Sequence, residues 1–175
     1  MKAVWTGNGP EMYLVPDSAV IWRGNPWFVP MDGKGWRAFF AIGAVIDRLG
    51  THIPERFATR YFDSVVVCAH PSPTTTDNPW AEWWRDGALE CGDPVKLSDL
   101  DESLNLVCDG QTLTLDREDL TRRIVDAIVR ASAFATLKTG DMVLVELPLS
   151  PIPLAERVDF TVTVNDRQML KFKTR

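Results

Sequence analysis

A cysteine and a histidine two residues apart are the first side chains here with the chemistry to act on a substrate. Cys68 and His70 lie at the end of the apolar run Ser64–Ala69, before a segment with three prolines at 71, 73 and 79. Alternate residues of a strand share a face, so the thiol and the imidazole would be neighbours. His70 could serve as a general acid–base, and it could activate a Cys68 thiolate. A hydrogen-bonded loop histidine and a core cysteine are the structural alternatives.

Three closely spaced tryptophans are the second candidate. Trp80, Trp83 and Trp84 have the i, i+3, i+4 spacing that places side chains on one face of a helix. Such a face could stack on a sugar or a base, or could bind a partner protein. The rings could equally cover the edge of a sheet. The carboxylates nearby are interpreted as a solvated acidic face: Asp77, Glu82, Asp86 and Glu90.

Composition and missing motifs exclude several classes of protein. The glycines lack the strand–GxxxxGK–helix context of a phosphate site, and the three cysteines have no CxxC spacing. The net charge of −5 argues against a nucleic-acid or anionic-membrane surface. No stretch approaches the roughly 20 apolar residues of a membrane span. We therefore expect a cytoplasmic protein with reduced thiols that binds neither nucleic acid nor membrane.

The elements that must position these side chains are mostly strands. Ala38–Asp47 and Ser64–Ala69 are continuous apolar runs, typical of strands buried on both faces. Ile53–Phe62 predicts a short helix with Pro54 at its first position, and the apolar stripe from Leu120 to Ala135 predicts a long one.

The turn signals complete this prediction. Asp109-Gly110, between two apolar runs, predicts a hairpin, and His70–Pro79 predicts a loop. The pattern favours an α+β, strand-dominated fold with antiparallel or mixed sheets. We expect one domain over residues 1–175, with residues 1–12 irregular.

Four segments, in matching order and spacing, resemble those of the fumarylacetoacetate hydrolase family. They are Val15–Val20, Arg48–Asp63, Val107–Thr112 and Phe134–Val143. The resemblance implies a mixed β-roll or β-sandwich with few helices, usually dimeric. It also implies cleavage or isomerisation of 1,3-dicarbonyl-type acids with Mg²⁺ or Mn²⁺, which polarises the carbonyl oxygens and stabilises an enolate.

The functional residues of that family do not carry over to this chain. By resemblance, its two metal glutamates fall on Phe39 and Ala41, and its metal aspartate falls on His70. Its substrate-side lysine falls near Trp83 or Trp84. The family's loop with the sequence Gly-Thr-Pro falls on Glu146-Leu147-Pro148. Apolar side chains thus stand where a hard dication needs oxygen ligands.

The resemblance therefore implies a family scaffold whose metal chemistry is lost and which needs no cofactor. Such a chain would be a binding, regulatory or assembly subunit, as a homodimer or beside an active paralogue, with a possible small-molecule ligand. The alternative is a Mg²⁺- or Mn²⁺-dependent hydrolase or isomerase of 1,3-dicarbonyl-type acids with a relocated site on His70, Asp77 and Glu146. A third hypothesis is a sugar- or base-stacking module built on Trp80, Trp83 and Trp84.

Overall fold

The chain forms a strand-dominated α+β structure, as the sequence predicts. The computed structural model describes residues 1–7, 9–22 and 24–175. The first strands in chain order are β1 (Lys2–Thr6), β2 (Met12–Pro16), β3 (Val20–Trp22), β4 (Gly33–Lys34), β5 (Arg37–Ile46), β6 (Phe62–Ser72), β7 (Thr75–Thr76) and β8 (Leu89–Cys91). They are followed by β9 (Val95–Lys96), β10 (Ser103–Cys108), β11 (Gln111–Asp116), β12 (Met142–Glu146), β13 (Ile152–Pro153), β14 (Asp159–Val164) and β15 (Arg167–Lys173). The α-helices are α1 (Glu55–Ala58) and α2 (Arg117–Phe134).

A large mixed sheet forms the body of the structure. Its strand order is β2-β1-β12-β5-β6-β8-β3, and the long antiparallel strands β5 and β6 pair from Arg37↔Ser72 to Ile46↔Phe62. Strand β12 packs so closely on β5 that a Cβ at Gly43 would lie 2.0 Å from the Val143 carbonyl oxygen. Only glycine permits this approach.

The two faces of this sheet carry different cores. Phe40 and Ile42 of β5 face the main core, which is shared with the second sheet, β11-β10-β14-β15, and with α2. Ala41 of β5 faces a smaller cluster with Trp5 and Cys68. Both faces of β5 are therefore buried, which explains its continuous apolar run.

The helices and the hairpin agree with the sequence prediction. In α2 the buried stripe includes Leu120, Ile124 and Ile128. The short helix is a single turn, α1, continued by a 3-10 turn over Thr59–Tyr61. Asp109 and Gly110 have positive φ angles of 47° and 78°, which suit a two-residue hairpin turn. Among the described residues, neither helix has the length and apolarity to cross a membrane.

The N-terminal prediction was wrong. Within this segment Lys2–Thr6 forms β1, which pairs in parallel with β12 and antiparallel with β2. Ala3 and Trp5 of this strand are almost fully buried. Strand β1 is stabilised by pairing with β12, which is far away in the sequence, so the residue pattern of the N-terminal segment alone could not predict it.

The predicted loop at residues 70–79 also begins too early. Strand β6 continues through His70 and Pro71 to Ser72. Strand β8 pairs with β6 only at Cys68 and Ala69. After Ala69, β6 has no further ladder partner on that side among the described residues, and an edge position tolerates the missing N–H of Pro71.

Candidate functional site

The structure brings the resemblance-derived metal positions together on one face of the large sheet. Phe39 lies opposite His70 in the β5–β6 ladder, and Ala41 lies opposite both Cys68 and Glu146 in the two ladders of β5. Residues directly opposite in an antiparallel pair point to the same face. Phe39, Ala41, His70 and Glu146 are therefore neighbours.

His70 is buried and held at both ring nitrogens. The side chain is only 2% exposed. Its Nδ1 lies 2.7 Å from the Ala88 carbonyl oxygen, and its Nε2 lies 3.2 Å from Glu82 Oε1. A carbonyl oxygen can only accept, so Nδ1 is assigned as the donor to Ala88, and Nε2 donates to the ionised Glu82 carboxylate when it carries a proton as well. Ser72 donates a 2.6 Å hydrogen bond to the same Glu82 oxygen.

Glu82 is the carboxylate that the sequence analysis missed. The hydrogen bond to His70 is the main cause that holds the pKa of Glu82 below its usual value, against the opposing effect of partial burial. Glu82 was interpreted as part of a solvated face, and that interpretation was wrong. Asp77, the predicted partner of His70, is exposed, and its backbone N–H bonds to Asp32.

An aromatic stack lies directly on His70. The Trp83 ring is parallel to the His70 ring at a centroid distance of 3.8 Å, and Tyr13 stacks on Trp83 at 4.3 Å. Trp5 is tilted against both His70 and Trp83 at 5.6 and 5.8 Å. We call residues 78–88 the covering segment, because this segment supplies Trp83, Glu82 and the Ala88 carbonyl to His70.

The three tryptophans do not form one platform. Trp83 packs inward, whereas Trp80 and Trp84 are 78% and 60% exposed. The segment forms a single 3-10 turn, Pro79–Ala81, followed by turns, so the helical spacing does not apply. The common face that the spacing would give in a helix is therefore not formed.

Glu146 and Cys68 also differ from expectation. Trp5 Nε1 donates a 3.0 Å hydrogen bond to Glu146 Oε2, which fixes this carboxylate beside the stack. The Cys68 thiol points at Cys91, with the two sulfur atoms 3.0 Å apart. Burial, the main cause, raises the pKa of Cys68 well above its ordinary value. In the closed fold Cys68 therefore stays a buried thiol directed at Cys91, and the Cys68–His70 nucleophile that the sequence offered as one alternative is not formed.

Glu90 is the second carboxylate whose environment was misjudged. It is fully buried in β8, and neither of its side-chain oxygens has a hydrogen-bond partner among the described residues. Burial raises its pKa to about 8, although the nearby Gly24 backbone favours the ionised form. Nothing in the local sequence distinguishes it from an exposed glutamate.

Comparison with known proteins identifies the architecture. No family model matches the chain, and no curated protein sequence matches it significantly. Solved structures match it over 99% of its length. One match is a putative isomerase from Escherichia coli, with a TM-score of 0.82 and 21% sequence identity; the alignment covers 91% of that chain. Another match is fumarylpyruvate hydrolase from Pseudomonas aeruginosa in complex with Mn²⁺ and pyruvate. Its TM-score is 0.79 at 15% sequence identity, and the alignment covers 89% of that chain.

A third match carries the family name. It is a putative fumarylacetoacetate hydrolase family protein from Yersinia pestis CO92, with a TM-score of 0.79 at 18% identity, covered over 92% of that chain. This chain has the fumarylacetoacetate hydrolase fold. The fold expected from the four sequence segments is thus confirmed.

The donor atoms on this face do not fit the metal expected with a fumarylacetoacetate hydrolase fold. Mg²⁺ and Mn²⁺ prefer several oxygen ligands. Phe39 and Ala41 offer none, and both nitrogens of His70 are already hydrogen-bonded. Within residues 1–7, 9–22 and 24–175, no three histidine, cysteine, aspartate or glutamate side chains form a group that could hold a metal ion.

Proposed function

We propose that this protein uses the fumarylacetoacetate hydrolase fold as a binding, regulatory or assembly subunit and not for a metal-dependent reaction. One observation carries the proposal. The place where the resemblance puts metal and substrate is filled by the protein's own side chains, with Trp83 stacked on His70. The two carboxylates expected at Phe39 and Ala41 are absent, and the nearby carboxylates of Glu82 and Glu146 are already hydrogen-bonded by the protein's own side chains.

The packing of the face supports this proposal energetically. Ala41 is fully buried and Phe39 is half-buried against the same cluster. A carboxylate introduced there would need ligands or protonation to offset its loss of hydration. A substrate would also have to displace Trp83 from between His70 and Tyr13. The face is therefore built as a packed core and not as an open cleft.

The partner that we propose is a second copy of this chain or an active paralogue with the same fold. Several large apolar side chains are more than half exposed on the described surface, and Phe28, Met31, Trp80 and Trp84 are among them. Their burial in an interface would remove apolar area from water. A small-molecule ligand at Trp80 and Trp84 is compatible with this surface, and we propose a cytoplasmic location.

Metal-induced stabilisation and turnover test the loss of the metal reaction. We expect no change in Tm with millimolar Mg²⁺ or Mn²⁺, because only an ion that binds the native state raises stability. We also expect no turnover of acylpyruvates. The Pseudomonas aeruginosa fumarylpyruvate hydrolase, measured in parallel with Mn²⁺, is the positive control. A metal-dependent rise of several degrees, or metal-dependent turnover, would refute the proposal.

The second candidate is a divalent-metal-dependent hydrolase or isomerase of 1,3-dicarbonyl-type acids with a relocated site. The observation that favours it is the His70–Glu82 pair, in which an imidazole and an ionised carboxylate lie 3.2 Å apart. Glu146 would be its second carboxylate. In this case Mn²⁺-dependent turnover would be present in the wild type and lost in His70→Asn and Glu146→Gln.

A further inference from the structure

Two buried thiols face each other beneath the covering segment. Cys68 and Cys91 are directly opposite in the antiparallel β6–β8 ladder. Their sulfur atoms lie 3.0 Å apart, and both side chains are fully buried. The third cysteine, Cys108, lies in β10 of the other sheet.

Only a small movement of the two sulfur atoms is needed for a disulfide bond to form between Cys68 and Cys91. A disulfide bond is about 2.05 Å long, with Cβ atoms about 3.5–4.5 Å apart. Directly opposite residues of an antiparallel pair have Cβ atoms about 4.5–5.5 Å apart. The two sulfur atoms therefore have to approach by about 1 Å, which side-chain rotation and a small shift of β8 can supply.

Strand β8 is also the element that can open to admit an oxidant. It has three residues, with two cross-strand pairs to β6 on one side and three to the equally short strand β3 on the other. Its central residue, Glu90, is a fully buried carboxyl group without a hydrogen-bond partner among the described residues. An unsatisfied buried polar group destabilises its surroundings, so transient separation of β8 is favoured over that of the long β5–β6 ladder.

We propose that Cys68 and Cys91 form a reversible disulfide bond when the protein meets a peroxide. When β8 separates, Cys68 is no longer buried and can react as a thiolate. Its sulfur attacks the peroxide, the O–O bond breaks, and the proton lost by the thiol joins the leaving hydroxide, so that a sulfenic acid and one water are formed. The second thiol then displaces the hydroxyl group, so that the S–S bond forms and a second water leaves. The two thiols lose two hydrogens and two electrons, and the peroxide is reduced to two waters.

The disulfide bond would stabilise the packing of the covering segment on His70. Cys68 and Cys91 are 23 positions apart, and the chain between them contains the whole covering segment. Oxidation would close this stretch into a covalent loop. It would also tie Cys91 of β8, three residues after Ala88, to β6, the strand that carries His70. The oxidised protein should therefore hold the covering segment more firmly over His70 than the reduced protein does.

Thiol counting by mass spectrometry tests the proposal. The reduced protein, freed of reductant, is treated with hydrogen peroxide, then denatured and alkylated. We expect three alkylated cysteines before oxidation and one afterwards, at Cys108, with a peptide cross-link between Cys68 and Cys91. Dithiothreitol should restore three. Oxidation should raise Tm by about 5 °C or more, because the closed loop constrains the unfolded chain.

The matched controls are Cys108→Ala and Cys68→Ala. The first should keep the cross-link and the rise in Tm, and the second should lose both. The wild-type peptide map needs no variant, so an unstable Cys68→Ala protein would leave the test intact. Three alkylated cysteines after oxidation, or a link that involves Cys108, would overturn the proposal.

Discussion

Trp83 lies face to face on His70, with the ring centroids 3.8 Å apart and the planes within 8° of parallel. Stacking of this kind buries both ring faces and adds close dispersion contacts between them. It places an indole over the position where the resemblance expects a metal ligand. The contact therefore explains why His70 is buried.

Trp83 should contribute much more to stability than the tryptophan beside it. Trp83→Ala removes the stack on His70 and Tyr13, and we expect a loss of about 2–3 kcal/mol in the free energy of unfolding. Trp84→Ala is the matched control, because Trp84 is 60% exposed; its effect should stay within about 0.5 kcal/mol. Urea denaturation measures both. Equal losses would contradict the stacking account.

Glu82 should stabilise the protein only while its carboxyl group is ionised. Its pKa is lowered in the folded state, mainly by the hydrogen bond to His70. The stabilisation is therefore present above the ordinary pKa of 4.5 and is lost as pH falls through the lowered folded value. We expect Glu82→Gln to lower Tm at pH 7 and the difference from wild type to shrink in acid.

The control for Glu82 is a carboxylate of the same chain without such contacts. Glu156 is exposed, so Glu156→Gln should leave Tm nearly unchanged at pH 7. Thermal unfolding from pH 3 to pH 8 gives both curves. A Glu82→Gln difference that does not depend on pH would mean that the ion pair with His70 does not form.

The effect of Glu90 on stability should change with pH in the direction opposite to that of Glu82. Burial raises its folded pKa to about 8 from 4.5. Between these values the unfolded chain releases the proton while the folded chain retains it, so the contribution of Glu90 to stability is lost as pH rises through this window. Glu90→Gln keeps the shape and removes the titration. We expect this variant to be more stable than wild type at pH 8 and similar at pH 4.

The measurement is Tm against pH for wild type and Glu90→Gln. The two curves should diverge as pH rises. Curves that stay parallel, or a variant less stable at every pH, would show that the Glu90 carboxyl has a partner that compensates its burial.

The close contact of β5 with β12 gives a test of the sheet itself. A Cβ at position 43 would overlap the Val143 carbonyl, so Gly43→Ala should destabilise the protein by about 1–3 kcal/mol or prevent folding. Gly7→Ala is the control, because its nearest contact would be an ordinary 3.9 Å from Glu146 Oε2. Equal stability of the two variants, measured in urea, would contradict the ladder register.

The sequence could predict the elements whose signal is local. The Ala38–Asp47 run and the Leu120–Ala135 stripe identify their own strand and helix, because each contains enough apolar residues to show its period. Contacts between segments that are far apart in the sequence produce no such local pattern. Trp5 and Glu146 are 141 positions apart and meet only in the folded sheet. The partners of His70 depend on how a segment without regular structure folds back, which no periodicity records.

Crystals grown or soaked with Mn²⁺ test the central claim most directly, because anomalous scattering locates the ion without assumptions about its ligands. We predict no anomalous peak beside Phe39, Ala41 and His70, with Trp83 still stacked on His70. An ordered Mn²⁺ at that face, coordinated by Glu82 or Glu146 with Trp83 displaced, would contradict the account.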